Sequence, residues 1–464
     1  MVSARTRRAG LLAVLSCSGC DCSGVSPPGP SDGDASTDAD VRGDAAPSDA
    51  GEVGDDAGRA DAGAEPDAGV VHGEVIRVDE NDWAGLPRVA MDGHQAATVV
   101  WMDHTSVLAR RWEAGEWTQS EVLGAGDGPE LDFNGAGEGV ATWRDEPGAA
   151  TMARRFVPGG GWLPAEAIGP GSGYTGDVAI DGRGSIVALF DWSYSEDHRV
   201  RTARYDPATG WSEDSLAEPA EIFTRQPDIA ANEAGYFAGA WTHFSEEQTE
   251  TIWASREVGE WLPPEQVGVL DHSFDPRVDV DGFGNALVVW GNNDADVISL
   301  WAAWQAPAGE YDAPVNIGPN AQGGGRPPWD YAASASVVGT AFVAWAAGFA
   351  ATVARYDPLD GWHDGEEISA LHSSVRAYDA IDVAADDSGG AIVVWTQVVA
   401  GAFHVWWSRY VVDDGWTEPV DADPAQLGDA ARPQVDVTSD GTAVIAWTVE
   451  RDDEFHVWAT ILPP

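Results

Sequence analysis

Carboxylates are the side chains this sequence offers most freely for chemistry. The chain has 464 residues and carries 77 Asp and Glu against 25 cations, a formal net charge of −52 at pH 7. Several acids come close together: Asp145-Glu146, Glu196-Asp197, Glu246-Glu247, Asp294 with Asp296, and Asp452-Asp453 ahead of Glu454. Neighbouring carboxylates can act as acid and base, hold a cation or attract a basic partner. Each group follows an apolar run that ends in an aromatic residue, so the spacing puts it on a connecting loop, where binding residues usually sit on a rigid scaffold. Glu196, Asp197, Glu246, Glu247, Asp294, Asp296, Asp452 and Asp453 are therefore candidate binding residues. Trp329, out of step with the other tryptophans, joins them, and Trp304 and Trp192 are irregular in the same way and are expected to be exposed for stacking. The plainer reading of the acids is a solvated rim that keeps the protein soluble.

Other chemistry is thin. Asp279-Val280-Asp281-Gly282-Phe283-Gly284-Asn285 alternates oxygen donors around a turn, as a calcium loop does. The bidentate Glu such a loop needs is missing, because Ala286 to Trp290 is apolar, so a hairpin turn is the better reading. No cofactor is expected; calcium is the one metal worth testing. The ten His are scattered without paired spacing, and no catalytic residue can be assigned. An Arg recurs in Ala109-Arg110, Ala153-Arg154, Ala203-Arg204, Ser255-Arg256, Ala354-Arg355 and Ser408-Arg409. A site needs only a few such residues, so pairing with nearby acids is expected of them. The negative charge argues against nucleic acid and against an anionic membrane surface, which would repel the chain.

The elements that must position these residues come from a repeat. Pro276 to Trp290 reads as a strand, a tight Asp281-Gly282 turn and a second strand ending in Trp, and variants return about every 50 residues. The closing aromatics are Trp101, Trp143, Phe190, Trp241, Trp290, Trp345, Trp395 and Trp447, which makes eight copies. The run before each is continuously apolar, so both faces of that strand are covered. The first strand alternates and often opens with Pro, as at Pro87, Pro129, Pro227, Pro276 and Pro433. A third strand carries the recurring Arg, and a fourth opens on an aromatic such as Trp117, Trp162, Trp211, Trp261, Tyr311, Trp362 or Trp416. Four-stranded antiparallel units covered on both faces describe blades of a β-propeller. The expectation is an all-β fold, an eight-bladed propeller over residues 71–464, with seven blades the alternative. The eighth copy stops before a fourth strand, and Gly73 to Val78 is expected to supply it and close the ring. The loops between second and third strands should form a strongly negative face that carries the binding site.

Upstream, Arg5, Arg7 and Arg8 precede a short apolar run, Ala9 to Leu15, and then Ser18-Gly19-Cys20. This resembles the lipobox of bacterial lipoproteins, which implies a signal peptide over residues 1–20 and a lipid on Cys20, with Cys17 as the rival site. Residues 21–70 are Asp, Ala, Gly, Ser and Pro with almost no large apolar side chain, a composition expected to stay disordered. Beyond Cys22 there is no Cys, so the body must hold by packing alone.

The turn followed by an apolar strand ending in Trp resembles the Asp-box, or BNR, repeats of sialidase-like propellers, and the order of the blades and their closure resemble WD40-type propellers. The resemblance implies a fold. Enzymatic sialidases use an arginine cluster, a Tyr nucleophile and an Asp acid/base, and Pro87-Arg88 and Arg326-Pro327 do not supply the start of that cluster. The expected function is a monomeric, exported lipoprotein of the outer membrane or cell surface, displaying a non-enzymatic propeller that binds a protein or glycan. The alternatives are a carbohydrate-active enzyme, sialidase-like or lyase, and a calcium-dependent lectin-like protein.

Overall fold

The computed structural model describes residues 73–464 except 146–149, 171–174, 192–199, 215–222, 246–248, 258–260, 269–270, 295–296, 322–329, 348–349 and 370–379. Cys17 and Cys20, with the whole leader, lie outside the described residues. The described chain is all-β, built from antiparallel four-stranded sheets of propeller-like form. Repeat five is typical: Ser273–Val280, Ala286–Asp294, Val297–Gln305 and Val315–Ala321 pair in that order. The first two repeats join into one nine-stranded sheet. The reason is that Glu121–Phe133 runs without a break from the outer strand of repeat one into the inner strand of repeat two. In the last repeat, Asp429–Val437, Ala443–Arg451 and Glu454–Leu462 make three strands, and Ile76 and Arg77 pair with Ala459 and Trp458 as a fourth.

The turn is capped by its own opening residue. Asp281 Oδ1 accepts hydrogen bonds from the N–H groups of Phe283 (2.9 Å) and Asn285 (2.8 Å), and Asn285 Nδ2 donates to Oδ2 at 2.6 Å. These are the bonds of a capped hairpin turn. Gly284 takes φ 83°, which a side chain would strain. Asp92, Asp181 and Asp386 cap their turns in the same way, and Asn134 and Asn232 do so through the amide oxygen.

The prolines correct the expectation that they open the first strands. Each strand begins earlier, and the register slips across the Pro: between Gly85 and Arg88, Asp127 and Glu130, Arg225 and Asp228, Phe274 and Arg277, and Ala431 and Gln434. The residue before the Pro takes a left-handed conformation in all five, at Leu86, Gly128, Gln226, Asp275 and Arg432. A bulge leaves one residue out of the ladder, which is where a residue without an N–H fits.

Hydrophobic burial is not one core but a series of layers between successive sheets. Leu287, Val289 and Trp304 of repeat five pack with Tyr331, Val343 and Trp345 of repeat six. The series continues from the last repeat to the first, where Val444, Ala446 and Val457 pack with Val99 and Trp101. The closing Trp101, Trp143, Trp241, Trp290, Trp395 and Trp447 are fully buried, as covered strands require.

Candidate functional site

Among the described residues, two places gather chemistry-bearing side chains. The first is the inner strand of each sheet. Side chains two and four places before the turn residue share a face, because strand side chains alternate. Two places back stand Asp132, Asp279, Ser334 and Asp436; four back stand Arg88, Glu130, Asp177, Asp228, Arg277 and Asp382. Most of these acids reach the next sheet. Asp132 accepts from the N–H of Ile180 (2.8 Å), Asp279 from Ala335 (2.7 Å) and Asp436 from Met91 (2.6 Å). One layer away, Asp228 accepts from Val278 (2.6 Å), Asp382 from Val435 (3.0 Å) and Asp177 from Ile229 (3.4 Å). Ser334 Oγ accepts from Ala385 at 3.1 Å in the same manner.

Enclosure by the surrounding strands penalises the charged form of these groups. It pushes the Asp132 carboxyl up to about 8, and Asp228, Asp279, Asp382 and Asp436 up to about 6, against the pull of their N–H donors. Asp177 rises as well, through burial and then the neighbouring Asp228, with which it is hydrogen-bonded. Burial also raises Glu130, although Arg88 Nε donates to it at 2.7 Å.

The second place is a cleft of about 190 Å³ between repeats five and six. Asp281, Phe283, Trp304, Asp312, Tyr356 and Pro358 line it. The turn delivers Asp281, 2% exposed, and Phe283, 65% exposed; the third strands deliver Trp304 and Tyr356, whose rings tilt together with centroids 5.1 Å apart. Burial and the charges of Asp312 and Asp281 hold the Tyr356 hydroxyl above its ordinary pKa.

Of the residues expected at a site, Glu196, Asp197, Glu246, Glu247, Asp296 and Trp329 lie outside the described residues, as does Trp192. Asp294, Asp452 and Asp453 are exposed where second strands turn into third strands, on two different sheets. The cleft sits at the opposite ends of those strands, among the turns that join first to second and third to fourth. Trp304 departs from its expectation. It is 9% exposed, because its ring fills the layer between two sheets, and it lines the cleft from within.

The recurring arginines meet nearby acids as expected at Arg154, with Glu121 at 2.8 Å, and at Arg355, with Asp357 at 3.2 Å, but the repeat itself needs a correction. In register with the second strand, the repeated positions are Arg111, Arg155, Arg204, Arg256, Arg355 and Arg409, opposite Thr98, Val140, Val187, Ala238, Phe342 and Ile392. Arg110 and Arg154 are one residue out of step and point the other way, Arg110 to the carbonyls of Thr118 and Val78, and Arg154 to that of Val122. The in-register arginines reach the following sheet rather than only local acids. Arg111 lies 4.7 Å over Phe156, Arg155 3.9 Å over Tyr205 and Arg355 5.3 Å over Tyr410. Arg204 meets Glu257, and Arg409 donates to the Pro463 carbonyl at 3.0 Å. The dipeptide named four of these six and took Arg110 and Arg154 for Arg111 and Arg155, because spacing from the turn carries the signal.

No family model matches the chain, and no curated protein does. Among solved structures, a polysaccharide lyase, Uly1, superposes with TM-score 0.47 at 10% identity over 85% of this chain and 100% of its own. A protein of unknown function from Dyadobacter fermentans gives TM-score 0.42 at 12% identity, over 85% of this chain and 99% of its own. The Aleuria aurantia lectin gives 0.38 at 11% identity, over 73% and 94%. At these scores the likeness decides neither blade number nor activity, and the fold rests on the sheets themselves.

Proposed function

We propose that the folded body is an eight-bladed ring, closed by the pairing of Ile76 and Arg77 with the last sheet, and that it serves as a non-enzymatic binding scaffold for a protein or glycan. Closure is supported by the Asp436–Met91 bond and by the layer shared between last and first repeats. The observation that carries the functional reading is the use of the shifted carboxylates. In sheet after sheet they accept a backbone N–H of the next sheet from two or four places before the turn residue, as joints do; a catalytic pair would stand once. A lipid on Cys20, or on Cys17, would hold the body at the envelope, which lipid labelling of Cys20→Ser and Cys17→Ser variants tests.

A second reading has one observation in its favour. Asp177 and Asp228 share a hydrogen bond and both have raised pKa values, two neighbouring carboxyls sharing a proton, which is a pair able to act as acid and base. The separating experiment puts the full chain through a glycan array and a partner pull-down, in parallel with a polysaccharide-cleavage assay. Specific binding without turnover is the expected result. Turnover abolished by Asp228→Asn at unchanged melting temperature would replace the scaffold reading with the enzymatic one.

A further inference from the structure

The cleft between repeats five and six is a guanidinium position with the guanidinium removed. In repeat one the turn residue Asp92 pairs with Arg111, whose guanidinium also lies over Phe133 and Phe156 of the next repeat. Repeat five keeps the first and last of these parts. Asp281 stands where Asp92 does, and Tyr356 stands where Phe156 does, each opposite the same position of its second strand. The third-strand position that holds Arg in six repeats holds Trp304, opposite Leu287. Repeat eight also lacks the Arg, with Ile461 opposite Val444, but there the turn residue is Thr438, and the carboxylate of that turn, Asp440, stands two places on and accepts from Thr438 Oγ1 and the Thr442 N–H. Repeat five alone combines an Asp at the turn with an aromatic in place of the Arg. Among the described residues the space so left is lined by two carboxylates, by rings and by Asn285, whose amide donates to Asp281 Oδ2 at 2.6 Å, and by no cation.

We propose that this cleft takes the arginine side chain of a peptide partner. The planar guanidinium would lie against Tyr356 and the exposed Phe283, with Asp281 and Asp312 supplying the charge, as the chain's own arginines lie elsewhere. The proposal rests on the binding-scaffold reading and gives that scaffold a ligand class.

The experiment is calorimetric titration of the full chain at low ionic strength with N-acetyl-arginine amide, its neutral citrulline counterpart, the lysine amide and methyl glycosides. Saturable binding of the arginine compound is expected, at least tenfold tighter than citrulline and measurably tighter than lysine. Trp304→Arg, which restores the pattern of the other repeats, should fill the cleft from within and abolish binding while the melting temperature holds or rises. Should that variant fold poorly, Asp312→Asn and Phe283→Ala, both at exposed positions, should each weaken binding by about threefold or more. Absence of saturable binding, equal binding of citrulline or lysine, preference for a glycoside, or arginine binding unchanged in these variants would overturn the proposal. A glycan or protein partner retained by Trp304→Arg would sink the cleft and spare the scaffold. Polysaccharide turnover would sink the scaffold, whereas arginine binding is read separately.

Discussion

Two interfaces of the same construction, between repeats one and two and between repeats five and six, are held by different forces. At the first, Asp92 is 3% exposed and is neutralised by Arg111, whose guanidinium also donates to Thr98 Oγ1 at 2.7 Å. At the second, the contact is aromatic, Trp304 on Tyr356, and among the described residues the carboxylate of Asp281 has its bonds from the turn and Asn285. The difference teaches how a repeat frees a site. Replacing a charged tie with an apolar one keeps the sheets together and leaves part of the old recognition geometry open to a ligand.

The largest effect should come from breaking the charged tie. Arg111→Ala leaves Asp92 buried without its cation, which costs about 3–5 kcal/mol. Denaturant unfolding would measure it; a loss below about 1 kcal/mol would mean that the ion pair is incidental and the contrast between the interfaces false. Next, Asp436→Ala removes the acceptor for Met91 N–H, at the junction between last and first repeats. An orphaned buried N–H costs about 1–3 kcal/mol. Unfolding that stays in one step with unchanged midpoint would argue against a continuous ring of joints.

The inner-strand acids sharpen the comparison through pH. Their pKa values rise on folding, from the ordinary 3.8 to about 8 for Asp132 and about 6 for Asp228, Asp279, Asp382 and Asp436. A carboxyl raised in this way binds its proton more tightly when folded. Its contribution is complete below the unfolded value and is lost as pH climbs through the folded value. The body should therefore melt higher at pH 5 than at pH 8.5, with Asp132, the most strongly raised, contributing most. Self-repulsion among the acids acts in the same direction but is screened by salt. A difference that survives high salt belongs to the enclosed carboxylates, and a reversed sign would mean that their N–H donors hold them as anions.

What the sequence made legible was local. A turn capped by its own Asp and a covered apolar strand ending in Trp need only neighbours in the chain, so Asp281 to Trp290 could be read directly. Contacts between sheets were not legible, because their partners lie about 50 residues away and depend on register. Arg110-Arg111 and Arg154-Arg155 offered two candidates each, and only pairing with the second strand selects Arg111 and Arg155. The bulges were hidden because Leu86, Gln226, Asp275 and Arg432 share no chemistry that announces a left-handed backbone. Trp304 looked merely irregular until its register showed which residue it replaces.

The smallest effect tests whether the cleft is a site or a seam. Phe283 is a large apolar side chain held 65% exposed at the tip of a turn, where the corresponding residues of repeats one, three and seven are His94, Arg183 and Ser388. It buries little on folding, so Phe283→Ala should change stability by no more than about 0.5 kcal/mol. A seam residue behaves otherwise: had the ring been packed between the sheets, its removal would cost about 3–5 kcal/mol through the cavity left behind. A small stability change for Phe283→Ala beside a large one for Trp304→Ala would place the boundary between packing and recognition inside the cleft, with Trp304 as its floor and Phe283 as its open wall.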